Sequence, residues 1–191
     1  MTGKELAKDI LLPAAVLTGI ALVVTAALAF TNTLTAPIIA QNQQTAADLA
    51  RIELVSGADT FTAVKLTDEL TALGIEDIYD ADNGAGTVVT VTEKGYNGDF
   101  TIMVGFNPEG AVVAYKALEQ DETAGLGSNT FETPFADQFA GKTAGELAVV
   151  KGAAGADNEI SAVTGATISS RAVTLAVNHA GEALNLVKEA G

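Results

Sequence analysis

The C-terminal half of the chain is organised around the stretch Ile160-Ser161-Ala162-Val163-Thr164-Gly165-Ala166-Thr167-Ile168-Ser169-Ser170-Arg171. The β-branched residues Ile160 and Val163 at its start favour a short strand. After it, apolar residues recur at alternating spacings of four and three, which is one face of an amphipathic helix; they are Val173, Val177, Ala180, Leu184 and Val187. The stretch therefore predicts a strand, a tight turn at Gly165 and Ala166, and the start of a helix.

Hydroxyl side chains cluster where this helix begins. Thr167, Ser169 and Ser170 lie at or near the N-cap, where backbone N–H groups have no partner within the helix. Such a position attracts phosphate through those donors and the helix dipole. The alternative is structural: one hydroxyl caps the helix and Gly165 makes the turn. The local pattern leaves both interpretations open.

The four residues Thr164-Gly165-Ala166-Thr167, followed two positions later by Ser169, resemble a cofactor-attachment motif. It is that of the FMN-binding domain in the G subunit of Rnf electron-transport complexes. A similar domain occurs in the C subunit of the sodium-pumping NADH:quinone reductase. The resemblance implies covalent FMN, held as a phosphoester on Thr167 and installed by a flavin transferase. It also implies that Thr164, Gly165, Ala166 and Ser169 surround the attachment point.

A second stretch supports the same resemblance. The residues from Asp121 to Gly127 resemble the family's Glu-Thr-Pro-Gly-Leu-Gly segment, which lies along the flavin. The resemblance implies that the ring edge or ribityl chain is contacted by Glu122, Thr123, Gly125, Leu126 and Gly127. Two positions depart from the family pattern. Ala124 replaces a Pro, and Ser161 replaces the Asp that belongs to the pattern read by the transferase.

Lys151 ends a predicted short strand before a Gly/Ala connector. It is the candidate cation for the phosphate charge, and the alternative is an ordinary exposed lysine. We find no nucleophile–base pair or metal-ligand cluster in the sequence, so no catalytic residue and no metal site is predicted. The domain is expected to position a flavin that does the redox work.

Composition narrows the possible functions. The 191 residues carry a formal net charge of −14, from 24 acidic and 10 basic residues. Nucleic acid is an improbable partner for such a chain because phosphate binding requires clusters of Lys and Arg. The absence of Cys excludes disulfides and Cys-ligated iron–sulfur clusters. The single His, His179, is expected to be a solvated residue on the last helix.

The N-terminus carries an uncharged, mostly apolar run at residues 10–30, long enough to cross a bilayer as one helix. Lys4 and Lys8 precede it, and the next basic residue is Arg51. The positive-inside rule then places residues 1–9 in the cytoplasm and everything after Phe30 outside. We therefore expect a single-pass protein of the cell (inner) membrane. The alternative is a cleaved signal peptide, since Ala27-Leu28-Ala29 has the form of a cleavage site.

The predicted fold is α+β, with a membrane-proximal helical connector at 31–60 and an FMN-binding domain at 61–191. The domain is expected to contain an antiparallel sheet flanked by helices. Three strands are indicated by alternating or β-branched residues, and the acidic stretch 77–86 is expected to be a loop. The strands are 87–93, 100–106 and 111–118, and the connector contains a helix at 41–54.

The resemblance implies an electron-transfer subunit of a membrane-bound, ion-translocating ferredoxin:NAD oxidoreductase. Its partners would be the other membrane subunits of an Rnf-type complex and the flavin transferase. One alternative keeps the covalent FMN in a quinone reductase or an extracytoplasmic flavin shuttle. A further alternative is a membrane-anchored binding module without redox function, in which the Thr-Gly-Ala-Thr turn is only a helix cap.

Overall fold

A computed structural model describes residues 7–190. A π-helical turn at Ala7–Leu11 leads into helix α1, Leu12–Leu54. The chain divides into two compact units between Thr45 and Ala46. In the first unit the apolar side chains of α1 are exposed, and the helix is long and apolar enough to cross a membrane. The predicted span at 10–30 lies within this region, whereas Lys4 lies outside the described residues.

Helix α1 continues without a break through Pro37, although the sequence indicated a connector helix only from Gln41. Pro37 lacks an N–H group and removes one helical hydrogen bond. Threonine hydroxyls just before it donate to carbonyls of the preceding turn, Thr31 to Ala27 at 2.9 Å and Thr33 to Phe30 at 2.7 Å. The polar residues of this segment therefore bond within the helix instead of ending it.

The second unit is built on a five-stranded antiparallel sheet whose strands pair in chain order. A short helix α2, Asp68–Ala72, connects the first two strands. The strands are β1 Phe61–Ala63, β2 Ile75–Ala81, β3 Thr87–Lys94, β4 Asp99–Phe106 and β5 Val112–Glu119. The three strands predicted between 87 and 118 are confirmed to within one residue.

The prediction of a loop at 77–86 is wrong for its first half, which belongs to β2. A register shift between Ile75 and Asp77 breaks the alternation that would have identified the strand. Ile78 is nevertheless fully buried, and Asp80 accepts a hydrogen bond from Thr87 on the neighbouring strand at 2.6 Å. Asp77 and Asp80 lie on opposite faces of this strand, and both are partly exposed.

The remainder of the domain is compact but irregular until the last helix. It contains helix α3 Thr133–Ala136 between two 3₁₀ turns, Gly127–Phe131 and Asp137–Phe139. Two short parallel strands follow, β6 Ala148–Val150 and β7 Glu159–Ser161, and then helix α4 Thr167–Ala190. The predicted α+β class, with a long apolar N-terminal helix before an antiparallel sheet with helices, is confirmed.

Both faces of the sheet are covered by helices. Helix α4 buries its apolar stripe against the face that carries Val89, Val91 and Ile102. The opposite face packs on the end of α1, through Ala50 and Leu54. The compact unit begins at Ala46, so it contains the end of α1 as well as the predicted domain at 61–191.

Candidate functional site

The turn before α4 has the geometry that its sequence predicts. Gly165 has a φ of 81°, a conformation that L side chains rarely adopt. The N–H of Ala166 donates to the Val163 carbonyl at 3.0 Å, and helix α4 starts at Thr167. The N–H of Ser170 donates to the Ala166 carbonyl at 2.9 Å. Within residues 7–190, no protein acceptor lies within hydrogen-bond reach of the N–H groups at 167, 168 and 169.

The two serine hydroxyls at the helix start are used elsewhere. The residue before the helix is Ala166, whose methyl group cannot act as a cap. Ser170 donates to the Ala166 carbonyl and accepts from the Val163 N–H at 3.0 Å. Ser169 donates to Glu122 across the fold. Backbone donors at the positive end of the helix dipole are therefore left for an anionic partner.

Thr167 lies at the boundary of two cavities. The first, here called the Glu122 cavity, has a volume of about 390 Å³, within the usual range of roughly 300–1,000 Å³ for small-molecule sites. It is lined by Tyr96, Glu122, Thr123, Leu126, Gly127, Gly165, Ala166, Thr167, Ile168 and Ser169. Its walls combine apolar side chains with a few polar groups, which suits a planar aromatic ligand with polar edges.

The second cavity, here called the Lys151 cavity, has a volume of about 250 Å³. It is lined by Lys151, Gly152, Ala162, Val163, Thr164, Gly165 and Thr167. Thr164 borders only this cavity, whereas Thr167 borders both. Of the two threonines in the motif, only Thr167 can therefore present a hydroxyl where the two cavities meet.

Glu122 is the buried charge of the site. Its residue is 8% exposed. Oε1 accepts from the backbone N–H groups of Tyr96 at 2.6 Å and Asn97 at 3.4 Å. Oε2 accepts from the Ser169 hydroxyl at 2.9 Å. The carboxylate thus connects the turn after β3, the loop after β5 and the first turn of α4.

The loop after Lys151 is held by side chains from β7. The Ala154 N–H donates to the Ser161 hydroxyl at 2.8 Å. The N–H groups of Gly155 and Ala156 donate to Glu159 Oε2 at 2.7 and 3.2 Å. Both bonds lower the pKa of the Glu159 carboxyl, and the bond from Gly155 has the larger effect. Residues 151–158 are exposed, so the Lys151 cavity has an open wall.

The sequence-predicted residues are mostly brought together. Gly125 is the exception: it lines neither cavity, and its N–H donates to the Ser128 hydroxyl within the loop. Sequence reasoning missed Tyr96 and Ile168, which line the Glu122 cavity while 67% and 57% exposed. The available signals were an aromatic residue in a Gly-bounded turn and a large apolar residue next to the motif threonine.

His179 differs from its expected solvated state. Its side chain is 24% exposed, and Nδ1 lies 3.2 Å from Glu93 Oε2 without forming a hydrogen bond. Helix α4 packs on β3 along this line, which brings the two side chains together. The pair lies apart from the residues that line the two cavities.

Comparison with known proteins identifies the family. Residues 95–182 match the FMN-binding domain family, and residues 1–50 match the RnfG N-terminal region. The chain is 39% identical, over 153 residues, to the G subunit of the proton-translocating ferredoxin:NAD(+) oxidoreductase complex of Clostridium ljungdahlii; the match covers 78% of this chain and 77% of that relative. The chain belongs to the RnfG family.

A second RnfG relative is the G subunit of the Na(+)-translocating ferredoxin:NAD(+) oxidoreductase complex of Acetobacterium woodii. It is 36% identical over 174 residues, which cover 83% of this chain and 84% of the relative. The resemblance stated from the two motifs is therefore confirmed. Family membership and the apolar helix α1 together make α1 the membrane anchor of this RnfG chain.

Two solved structures share the RnfG fold at 17% identity. Shewanella oneidensis NqrC has a TM-score of 0.51, and the match covers 74% of each chain. The C subunit of the Na(+)-translocating NADH-quinone reductase from Parabacteroides distasonis has a TM-score of 0.53, with 73% of this chain and 90% of that chain covered. At this identity the likeness concerns the fold alone.

Proposed function

We propose that this RnfG chain is the electron-transferring subunit of an ion-translocating ferredoxin:NAD oxidoreductase complex and carries FMN as a phosphoester on Thr167. The observation that carries the proposal is the position of Thr167. It begins α4, borders both cavities, and lies beside three backbone N–H groups that have no protein acceptor within residues 7–190. When bound, the flavin supplies the redox chemistry that the side chains lack.

The residues around Thr167 suit the parts of FMN. The free N–H groups at the start of α4 would donate to phosphate oxygens, and Lys151, which lines the cavity behind Thr167, would offset the remaining negative charge. Leu126 and Ile168 offer apolar surface to the ring, and the Thr123 hydroxyl is exposed on the same cavity. The mixture matches a ligand that is apolar in its body and anionic at one end.

Attachment needs an enzyme and an activated flavin donor. The Thr167 oxygen would bond to the flavin phosphorus and lose its proton, while the bond between phosphorus and the donor's leaving group breaks. The Glu122 carboxylate, which lines the same cavity, accepts from Ser169 and from backbone N–H groups rather than from the Thr167 hydroxyl. A separate flavin transferase therefore accounts for the modification better than self-catalysis.

The test compares the two threonines of the motif. The full-length chain, Thr167→Ala and Thr164→Ala are each co-expressed with a flavin transferase and run on a denaturing gel under ultraviolet excitation. The wild type and Thr164→Ala should fluoresce, and Thr167→Ala should not. Intact mass should show one FMN, less one water, on the fluorescent chains. A fluorescent Thr167→Ala band would overturn the attachment site.

A colourless wild type in the presence of an active transferase would favour a non-redox binding module instead.

Lys151→Ala keeps the acceptor hydroxyl but removes the cation, so flavin should attach to it more slowly than to the wild type. Lys65→Ala, at an exposed position that lines neither cavity, is the matched control for the loss of one positive charge. Equal attachment rates for the three chains would remove Lys151 from the site.

We further propose that the domain after the anchor faces away from the cytoplasm. The proposal rests on Lys4 and Lys8 before the apolar run and on the lack of basic residues after it until Arg51. A reporter that is active only in the cytoplasm, fused after Gly191, should be silent.

Purifying the native membrane complex and identifying the neighbouring proteins would separate an Rnf-type complex from a quinone reductase or a flavin shuttle.

A further inference from the structure

The Glu122 carboxylate lines the cavity and accepts three hydrogen bonds from the protein itself. Two backbone N–H groups point at Oε1 and the Ser169 hydroxyl points at Oε2. Hydrogen bonds to an ionised acceptor are the stronger ones, and a donor left unpaired in a buried place is costly. Glu122 therefore differs from Thr123 beside it, which lines the same cavity but is exposed.

Two glycines leave room for this carboxylate. A Cβ at Gly95 would lie 2.2 Å from Glu122 Oε1, and a Cβ at Gly127 would lie 2.1 Å from Oε2 and 2.8 Å from the Ser169 hydroxyl. Real Cβ atoms do not approach other atoms so closely. The surrounding backbone is thus closed around the carboxylate on two sides.

We infer that Glu122 is a positioning residue: its carboxylate clamps the Tyr96 turn to the first turn of α4, and this clamp, rather than a contact with flavin, is its contribution to the site. Tyr96, Leu126 and Thr167 line one cavity because the three segments that carry them meet at Glu122. The inference rests on the proposed function only in assigning that cavity to the flavin.

If Glu122 acts as a clamp, its replacement by glutamine should have a distinctive effect. In Glu122→Gln, the amide oxygen can accept from the Tyr96 and Asn97 N–H groups, and the amide nitrogen then faces Ser169. A hydroxyl is both donor and acceptor, so Ser169 can turn to accept that bond. Ser169→Ala alone leaves the carboxylate with two donors. Combined with glutamine, it leaves a buried NH₂ group without an acceptor, so the two changes should be strongly non-additive.

The experiment measures amide hydrogen exchange at Tyr96 and Asn97. The full-length protein is prepared in detergent without the flavin transferase, so the result does not depend on flavin. We expect Glu122→Ala to speed exchange about tenfold or more, because a charge-assisted bond is worth roughly 1.5–3 kcal/mol and each 1.4 kcal/mol is a factor of ten. Glu122→Gln should keep most of the protection, and Glu122→Gln with Ser169→Ala should lose it.

Flavin incorporation, measured after co-expression with the transferase, should fall in the order in which the protection falls. Glu119→Gln is the matched control, since it removes one carboxylate from an exposed position three residues away along the chain. It should alter neither readout. If Glu122→Ala fails to fold, the comparison of Glu122→Gln with and without Ser169→Ala still tests the clamp.

Two results would overturn the clamp. One is equal exchange at Tyr96 and Asn97 in all variants, which would show that the carboxylate does not hold the turn. The other is normal protection in Glu122→Gln together with a shifted flavin absorption band, which would mean a direct contact between Glu122 and the ring. Loss of flavin from every chain, with the exchange pattern as expected, would contradict the proposed function and leave the clamp intact.

Discussion

The two cavities that meet at Thr167 have walls of different construction. The Glu122 cavity is backed by buried polar residues, with Thr130 fully buried and Ser169 3% exposed, and each of them is hydrogen-bonded. The Lys151 cavity is bounded by the exposed residues 151–158, which are held mainly by the side chains of Ser161 and Glu159. The wall of the Glu122 cavity, here called the first wall, therefore belongs to the core. The wall of the Lys151 cavity, here called the second wall, lies at the surface.

This difference indicates how a domain can both hold a ring and accept a covalent attachment. A wall fixed by core contacts is formed before the ligand arrives, which lowers the cost of binding. A wall held by a few surface hydrogen bonds opens at little cost. We therefore expect the wall of the Glu122 cavity to open only when global stability is lowered. The wall of the Lys151 cavity should open in response to local changes.

The largest effect should come from the core behind the first wall. Phe139 is fully buried and contacts Tyr115 and Phe135 edge to face, with ring centroids 5.3 and 5.5 Å apart. Phe139→Ala should lower the free energy of unfolding by about 3–5 kcal/mol through lost burial and a cavity. Denaturant titration of the full-length protein in detergent would measure it.

Val113→Ala is the control for this prediction, because it shortens an apolar side chain that is 41% exposed on β5. Its effect should stay within about 0.5 kcal/mol. If Phe139→Ala cost no more than Val113→Ala, the core would not be what supports the first wall, and the comparison would fail.

The next effect concerns the bond that ties this wall to the sheet. The hydroxyl of Tyr115 on β5 donates to the Thr130 carbonyl, and burial raises the pKa of this phenol. Tyr115→Phe should cost about 1 kcal/mol at neutral pH. Because the folded pKa is raised above the unfolded value of about 10, the tyrosine's contribution is full below about pH 10 and is lost as the pH rises further.

The difference in stability between wild type and Tyr115→Phe should therefore shrink in alkaline solution, since phenylalanine does not titrate. Denaturant midpoints for both proteins from neutral pH to about pH 11 would show this convergence. Parallel curves over the whole range would mean that Tyr115 titrates alike in the folded and unfolded chains.

The two sequence motifs predicted residues that line the cavities better than they predicted the distant segments that complete the walls. Thr167 and Glu122 lie 45 positions apart in sequence, and their motifs carry enough pattern to suggest one site. Tyr96 lines the cavity from a turn that bonds to Glu122, a contact between distant segments that no local pattern reveals. Strand β2 was missed because its bulge breaks the alternation of apolar and polar residues. The packing of Leu54 on the sheet was missed because the sequence of a helix does not indicate which surface the helix packs against.

A smaller and more local effect is expected at the second wall. In Ser161→Ala, the Ala154 N–H loses its acceptor at 2.8 Å. Because Ala154 is exposed, water can replace the bond, and the cost to global stability should be about 0.5 kcal/mol or less. Amide exchange at Ala154 should rise while exchange at Tyr96 stays unchanged. A rise at both positions would show that the two walls are coupled.

The smallest effect should be at Glu159, which lies at the surface. The N–H groups of Gly155 and then Ala156 lower the pKa of this carboxyl. A carboxyl with a lowered folded pKa stabilises the loop above its unfolded pKa of about 4.3 and loses that contribution as the pH falls through the folded value. Glu159→Gln keeps an acceptor oxygen but removes the charge. Protection of the Gly155 amide, corrected for intrinsic exchange, should therefore be greater in the wild type at neutral pH and should approach that of Glu159→Gln in acid. The protection of Tyr96 should be the same in both proteins, because its bond ends on a different carboxylate in the buried wall. A Tyr96 amide that followed Glu159 would mean that the open wall and the buried wall move as one, and the division of the site at Thr167 would have to be abandoned.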